Sequence, residues 1–190
     1  MSVGDPNAVH RKHMVRHEAS NDLRFLTFST YLRLPLFLND RIKDLFVSHL
    51  VRAKATHRFH LYAWVLMPEH VHMILWPRLP ESPVSVLLSE FKRRFARVVI
   101  DRWRELQAPI LTRIQNPDGS TRFWQRGGGY DRNIFSGAEL SEKIRYIHHN
   151  PVARGLCHKP EGWAWSSAGW FAGDRDTPLV IDEIPPKKPV

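Results

Sequence analysis

The sequence predicts an α+β fold: an antiparallel sheet laid out as a split β-α-β unit, with helices on one face. Three observations carry this. The patterned segments follow in the order strand, helix, strand, strand, helix, strand, helix. The two middle strands are joined by only a few residues, so they pair as an antiparallel hairpin. The helical segments carry apolar residues three and four apart, the period of a one-sided helix.

Each element has its own grounds. Residues 1–22 are polar, basic and histidine-rich and read as a solvated arm; His13 and His17 stand four apart but favour no ligand over that account. Leu23 to Leu34 is a strand around Leu26-Thr27-Phe28-Ser29-Thr30-Tyr31, with Pro35 at its end or edge. Asn39 or Asp40 caps a helix over about 40–56 with the stripe Ile42, Leu45, Phe46, His49 and Leu50. Leu61 to Met67 and His70 to Trp76 form the hairpin around Pro68-Glu69. Pro77 to Pro83 is a proline-dotted loop. Val84 to Leu106 is a long helix burying Leu87, Leu88, Phe91, Phe95, Val98 and Val99. Thr121 to Gln125 reads as a further strand, interrupted by Gly127, Gly128 and Gly129 and resumed over Tyr130 to Phe135. A third helix covers about Gly137 to Asn150, and Pro151 stops it, because a residue before proline is pushed out of helical geometry. The tail Pro185 to Pro189 reads as extended. The order of the first six elements is that of a ferredoxin-like core.

Composition narrows the function classes. The chain has 190 residues, 43% hydrophobic and 11% aromatic, enough for one packed domain. The net charge of +9 suits a polyanionic partner, most simply nucleic acid, but charge alone suits a merely basic soluble protein as well. One cysteine, Cys157, excludes an internal disulfide and suits a reducing compartment. No segment has the roughly 18 apolar residues of a membrane span. The expectation is a cytoplasmic, nucleoid-associated protein with no membrane partner.

Two features carry chemistry. His70 and His72 flank Val71 on a strand, so both imidazoles point to one face. Two neutral imidazoles on a rigid strand can hold a divalent metal, although surface or hydrogen-bonded histidines show the same spacing. On the third helix, Leu140, Ile144 and Ile147 face the core. Tyr146 lies roughly 100° or more from that stripe, on the rim. Asn150 stands one turn further on the same side. A rim tyrosine can serve as a nucleophile, but from the spacing alone the favoured account is that Tyr146 half-packs on the sheet while Asn150 caps the helix end.

Met67-Pro68-Glu69-His70-Val71-His72, followed by Tyr146-Ile147-His148-His149-Asn150-Pro151-Val152-Ala153-Arg154-Gly155-Leu156, resembles the single-tyrosine HUH transposases, and their REP-associated branch most closely. Phe123-Trp124-Gln125 and Trp165-Ser166-Ser167 are similar to the same branch. The resemblance covers about residues 23–170, read as the catalytic domain between the arm 1–22 and a C-terminal tail 171–190. It implies that Tyr146 is the nucleophile and that His70, His72 and Asn150 are metal ligands, the last at a position often held by glutamine elsewhere. It also implies Mg²⁺ or Mn²⁺ as cofactor, single-stranded DNA with hairpins as substrate, a covalent 5′-phosphotyrosine, and no nucleotide cofactor. Related enzymes are monomers or homodimers, and the sequence does not choose between them. The triple glycine departs from the pattern of that branch.

Around these residues the sequence leaves alternatives open. Lys92, Arg93, Arg94 and Arg97 offer a phosphate-tracking helix face, with Arg126 and Arg132 adding to it; a solvated face has the same composition. Trp124 or Tyr130 can stack a base or pack in the core, and Tyr130 is a rival nucleophile. Glu69 can orient a histidine from behind or stand exposed in a turn. His148 and His149 can shuttle a proton or lie on the surface. Three functions compete: a metal-dependent nicking and joining enzyme, a non-catalytic nucleic-acid binder, and a metal-dependent hydrolase in which Tyr146 is structural.

Overall fold

In the computed structural model of the chain, residues 22–78, 83–127 and 129–184 are described. The arm 1–21, including His13 and His17, part of the loop 77–83, Gly128 and the tail 185–190 lie outside the described residues.

Strands β1 (Leu23–Ser29), β2 (His60–Leu66), β3 (His70–Trp76) and β4 (Tyr130–Ile134) form one antiparallel sheet in the order β2-β3-β1-β4. Helices α1 (Asp40–His57) and α2 (Val84–Glu105) connect them as the split β-α-β order requires. A short helix α3 (Ile110–Arg113) follows α2, and α4 (Gly137–Ala153) and α5 (Ala168–Phe171) complete the described chain.

Alternation along the strands sorts the core into two layers. Leu26, Phe28, Val71, Met73 and Leu75 meet Phe46, Leu50, Phe91 and Phe95 of α1 and α2 on one face. Phe25, Val65 and Ile74 meet Leu140, Ile144 and Ile147 of α4 on the other. Strands β2 and β3 are thus buried on both sides, which is why they read as nearly unbroken apolar runs. Helix α1 is capped by Asn39, whose side chain accepts from the Arg41 amide. Its buried face also takes Val47, Ala53 and Lys43, while Ile42, Leu45 and His49 are only half-buried. Lys43 is held by the Trp165 ring, 3.4 Å from its ammonium, a cation–π contact that no helical period announces.

Three expectations are corrected. Strand β1 ends at Ser29, and Tyr31–Arg33 form a 3-10 turn with left-handed φ at Leu32 and Arg33. Thr121 to Gln125 is not a strand; it contributes isolated bridges at Thr121 and Trp124. Consecutive Phe123 and Trp124 both enter the core beneath α2, which strand alternation forbids. Pro151 does not stop α4, which runs to Ala153. The missing amide costs one bond in the final turns, while Arg154 still donates to Asn150 and Leu156 to Pro151. Gly155, at φ +67°, then turns the chain away.

The segment after α4 is tied down by its aromatic and hydroxyl residues. Trp163 Nε1 donates to the Leu66 carbonyl, and the Ser167 hydroxyl accepts from the Trp64 amide while meeting His148 Nε2 at 2.8 Å. Leu179 and Ile181 enter the core, and Asp182 pairs with Lys54 at the end of α1.

Candidate metal centre and tyrosine

Strand β3 presents His70 and His72 on the α4 face, and register aligns Thr27 of β1 with His72. Both imidazoles are 5% exposed. Their Nε2 atoms face one another at 3.0 Å. Each ring is fixed from behind: His70 Nδ1 lies 3.0 Å from Glu69 Oε1, and His72 Nδ1 lies 2.7 Å from the Thr27 hydroxyl. A carboxylate only accepts, so His70 carries its proton on Nδ1 and turns a lone pair outward from Nε2. When the Thr27 hydroxyl accepts from His72, the second Nε2 is a lone pair too. Burial pushes the His70 pKa down, with Glu69 opposing, and pushes His72 down to about 3, helped by His70 and Arg33. Both rings are therefore neutral, the form that ligates.

This pair fits a divalent cation. Two nitrogens 3.0 Å apart subtend about 90° at an ion roughly 2.1 Å from each, the angle between neighbouring octahedral positions. Among the described residues no set of three His, Cys, Asp or Glu groups converges, so a cage of such residues is absent there. Asn150 is half-buried on α4, one turn beyond Tyr146, and no hydrogen bond joins it to either imidazole.

Tyr146 stands against the pair. Its ring centroid lies 5.3 Å from that of His72 and 6.2 Å from that of Phe25, edge-on to both. Half of the residue is exposed, so the phenol is reachable from solvent. Tyr130 begins β4 on the same face, 5.9 Å from Phe25, but its hydroxyl is engaged by Arg132. Of the two tyrosines, Tyr146 is the one packed on an imidazole.

Glu69 is no exposed turn residue: it is 6% exposed. Arg154 donates to its Oε1 at 2.7 Å, and Arg33 approaches the same oxygen at 3.6 Å. Burial pushes the Glu69 pKa up, but the Arg154 guanidinium and His70 outweigh it and hold the carboxyl below its usual range. Sequence reasoning assigned neither arginine. Arg154 stands inside the tyrosine-helix motif, which was a signal; Arg33 carried none.

The basic residues are distributed rather than gathered. Lys92 and Arg93 line a groove of about 450 Å³ between α2 and residues 121–127, together with Arg122 and Trp124. Arg94 faces α1 beside Arg52 and Glu90, and Arg97 is exposed. Trp124 packs in the core and donates to the Lys92 carbonyl. Helix α2 and its groove lie across the sheet from the histidines. Arg126 is exposed next to the groove, whereas Arg132 stands on the histidine face, paired with Glu139 at 3.3 Å. His148 is buried on Ser167 and His149 is exposed. Gly129 has a structural reason: at φ +75° a Cβ there would overlap the Thr27 carbonyl.

No family model matches the chain. A Haemophilus influenzae protein bearing the name REP-associated tyrosine transposase is 24% identical over 147 residues, covering 76% of this chain and 78% of that protein. The REP-associated tyrosine transposase of Escherichia coli is 28% identical over 123 residues, covering 62% of this chain and 59% of that protein. The solved structure of a REP-associated tyrosine transposase bound to a REP hairpin matches with a TM-score of 0.64 at 17% identity, over 93% of this chain and 97% of that one. At that identity the last likeness is one of fold. No helix among the described residues is long and apolar enough to cross a membrane.

Proposed function

From a chain that groups in sequence and fold with the REP-associated tyrosine transposases, we propose that it nicks and rejoins single-stranded DNA beside hairpins, through a covalent phosphotyrosine. The observation that supports this reading is the Tyr146 ring seated 5.3 Å from His72, whose Nε2 faces that of His70. His70, His72 and Asn150 would hold Mg²⁺ or Mn²⁺, which supplies charge neutralisation at the scissile phosphate. Two nitrogen donors suit Mn²⁺ better than Mg²⁺.

The phenol oxygen of Tyr146 attacks phosphorus, forming the Oη–P bond as the P–O3′ bond breaks. The phenol proton passes to solvent and the departing 3′ oxygen takes one up. Phosphorus remains in an ester, so the reverse attack by a 3′-hydroxyl restores the strand and the free phenol without a nucleotide cofactor. His70 and His72 contribute neutral rings held by Glu69 and Thr27, and their burial keeps water from competing at Nε2. Lys92, Arg93, Arg94, Arg97, Arg126 and Arg132 are the proposed contacts for DNA beyond the reacting phosphate.

The test is capture of the adduct. Incubated with Mn²⁺ and a hairpin-bearing single strand, the protein should yield a species that survives denaturing electrophoresis, with the link mapped to Tyr146 by mass spectrometry. Tyr146→Phe and His72→Ala should each abolish it. Persistence of the adduct in Tyr146→Phe, or cleavage without capture, would defeat the assignment.

A further inference from the structure

The geometry points to Arg33 and Arg154 as a paired guanidinium clamp for a backbone phosphate of single-stranded DNA, poised beside the histidines by Glu69. The inference rests on the reading of the chain as a single-strand nicking enzyme, and deepens it by naming what grips the strand next to the metal pair.

Two guanidiniums converge on one carboxylate oxygen, Arg154 at 2.7 Å and Arg33 at 3.6 Å. Against a single carboxylate they leave one positive charge unmatched among these three side chains. The carboxylate is buried while the guanidiniums are not: the side chains of Arg154 and Arg33 are 51% and 63% exposed, against 7% for Glu69. The buried anion orients, and the exposed cations retain donors for an incoming ligand. Arg154 commits Nη1 to Glu69, and Arg33 comes within ion-pair but not hydrogen-bond distance. A guanidinium has five N–H donors in a fork that matches phosphate oxygens.

Arg33 sits at φ +52° directly after Leu32 at φ +51°, a left-handed run that side chains other than glycine rarely adopt. The surroundings hold it there. The Tyr31 amide donates to the Phe123 carbonyl, the Leu32 amide to Gln125 Oε1, and the Thr30 amide to the Glu69 carbonyl. This strained turn is fastened from three sides, and what it delivers is the Arg33 side chain to the edge of the histidine pair. Strain maintained at such a place marks function more often than accident. Arg154 caps the helix that carries Tyr146, so one arm of the clamp is anchored on the nucleophile's helix and the other on the turn after β1.

The ligand is a phosphodiester oxygen, flanking or scissile, rather than a base edge: the donors are cationic and arranged around a carboxylate that a phosphate resembles in charge.

The test separates phosphate contact from mere support of Glu69. In a Tyr146→Phe background with chelator present, binding of a hairpin-bearing single strand is followed by fluorescence anisotropy across a salt series. Arg33→Gln should reduce the slope of log affinity against log salt by about 0.7, the share of one phosphate contact on a single strand. Arg154→Gln should do the same, and Arg154→Lys should restore the slope. Arg102→Gln, a surface variant at an exposed pair with Glu105, should leave it unchanged. Mn²⁺ affinity of Arg33→Gln should stay within about twofold of the parent. An unchanged slope in Arg33→Gln overturns the clamp, whether or not thermal stability falls. Because this readout needs neither metal nor chemistry, reduced slopes in a protein that never forms the adduct would sink the nicking reading and leave the clamp standing.

Discussion

Replacing Glu69 by glutamine separates two contributions that a single buried carboxylate makes. Glutamine keeps the volume and one acceptor but loses the charge and can present N–H to His70. The carboxylate holds His70 Nδ1 at 3.0 Å and so fixes which nitrogen faces outward. Residues that orient a metal-bound histidine from behind are typically worth 10–100-fold in metal affinity, about 1.4–2.7 kcal/mol. For folding, a charge-assisted bond is worth about 1.5–3 kcal/mol when shielded. Because Arg154 is half exposed, its share is discounted to about 1 kcal/mol or less. The Glu69→Gln protein should therefore bind Mn²⁺ roughly 10–100-fold more weakly, and lose roughly 1–3 kcal/mol of stability, a fall of several degrees in Tm for a chain of this size. Isothermal titration with Mn²⁺ gives the first quantity, urea unfolding the second, and long-range ¹⁵N spectra of the imidazoles report the His70 tautomer. Unchanged Mn²⁺ affinity alongside an unchanged tautomer would show that Glu69 does not set the His70 ring, even if stability fell as expected.

Three further outcomes follow from the packing. Ile147 is fully buried under the sheet, so Ile147→Ala should cost about 2–5 kcal/mol in urea unfolding; a loss under about 1 kcal/mol would mean that α4 is not seated as described. Gly129→Ala places a methyl group on the Thr27 carbonyl at a backbone angle hostile to side chains, so both unfolding midpoint and Mn²⁺ affinity should drop, since Thr27 steadies His72; a variant as stable as the parent contradicts the close approach. Burial raises the Tyr62 phenol to about 12, with Asp182 adding to it. An unfolded phenol ionises near 10, so the stability this group supports is intact below pH 10 and lost as pH climbs through about 12. Tyr62→Phe should flatten that alkaline decline, and an identical decline in both proteins would show that another group governs it.

Much of this was written in local pattern. Strand β3 begins at His70 and ends at Trp76 as its boundaries suggested, and α1 and α2 fall within a residue or two of their expected spans. Alternation alone assigned both imidazoles to one face, and helical period alone put Tyr146 on the rim. What stayed hidden depends on long-range partners. Lys43 is buried because two tryptophans more than a hundred residues later cover it. Phe123 and Trp124 looked like strand residues because both are aromatic, yet the two pack edge-on to each other in the one core cluster beneath α2. Pro151 looked like a stop because the rule for proline is local, whereas the helix end is decided by bonds to residues beyond it. Glu69 sits in a two-residue turn, where exposure is the usual state; here it is buried and paired with Arg33 and Arg154, which no local pattern announces. The basic helix was legible as charge but not as direction, and its groove opens away from the histidines.

That opposition has a consequence for the length of any bound strand. The sheet separates the histidine edge from the α2 groove, and the Leu32 turn, bonded to Gln125 of the groove's lining, lies on the rim between them. A polyanion occupying both must travel around the rim of the molecule, and a fragment of a few nucleotides reaches one or the other. Footprint size thus becomes a ruler: oligonucleotides lengthened a residue at a time should show a step in affinity where the chain first becomes long enough to make the detour.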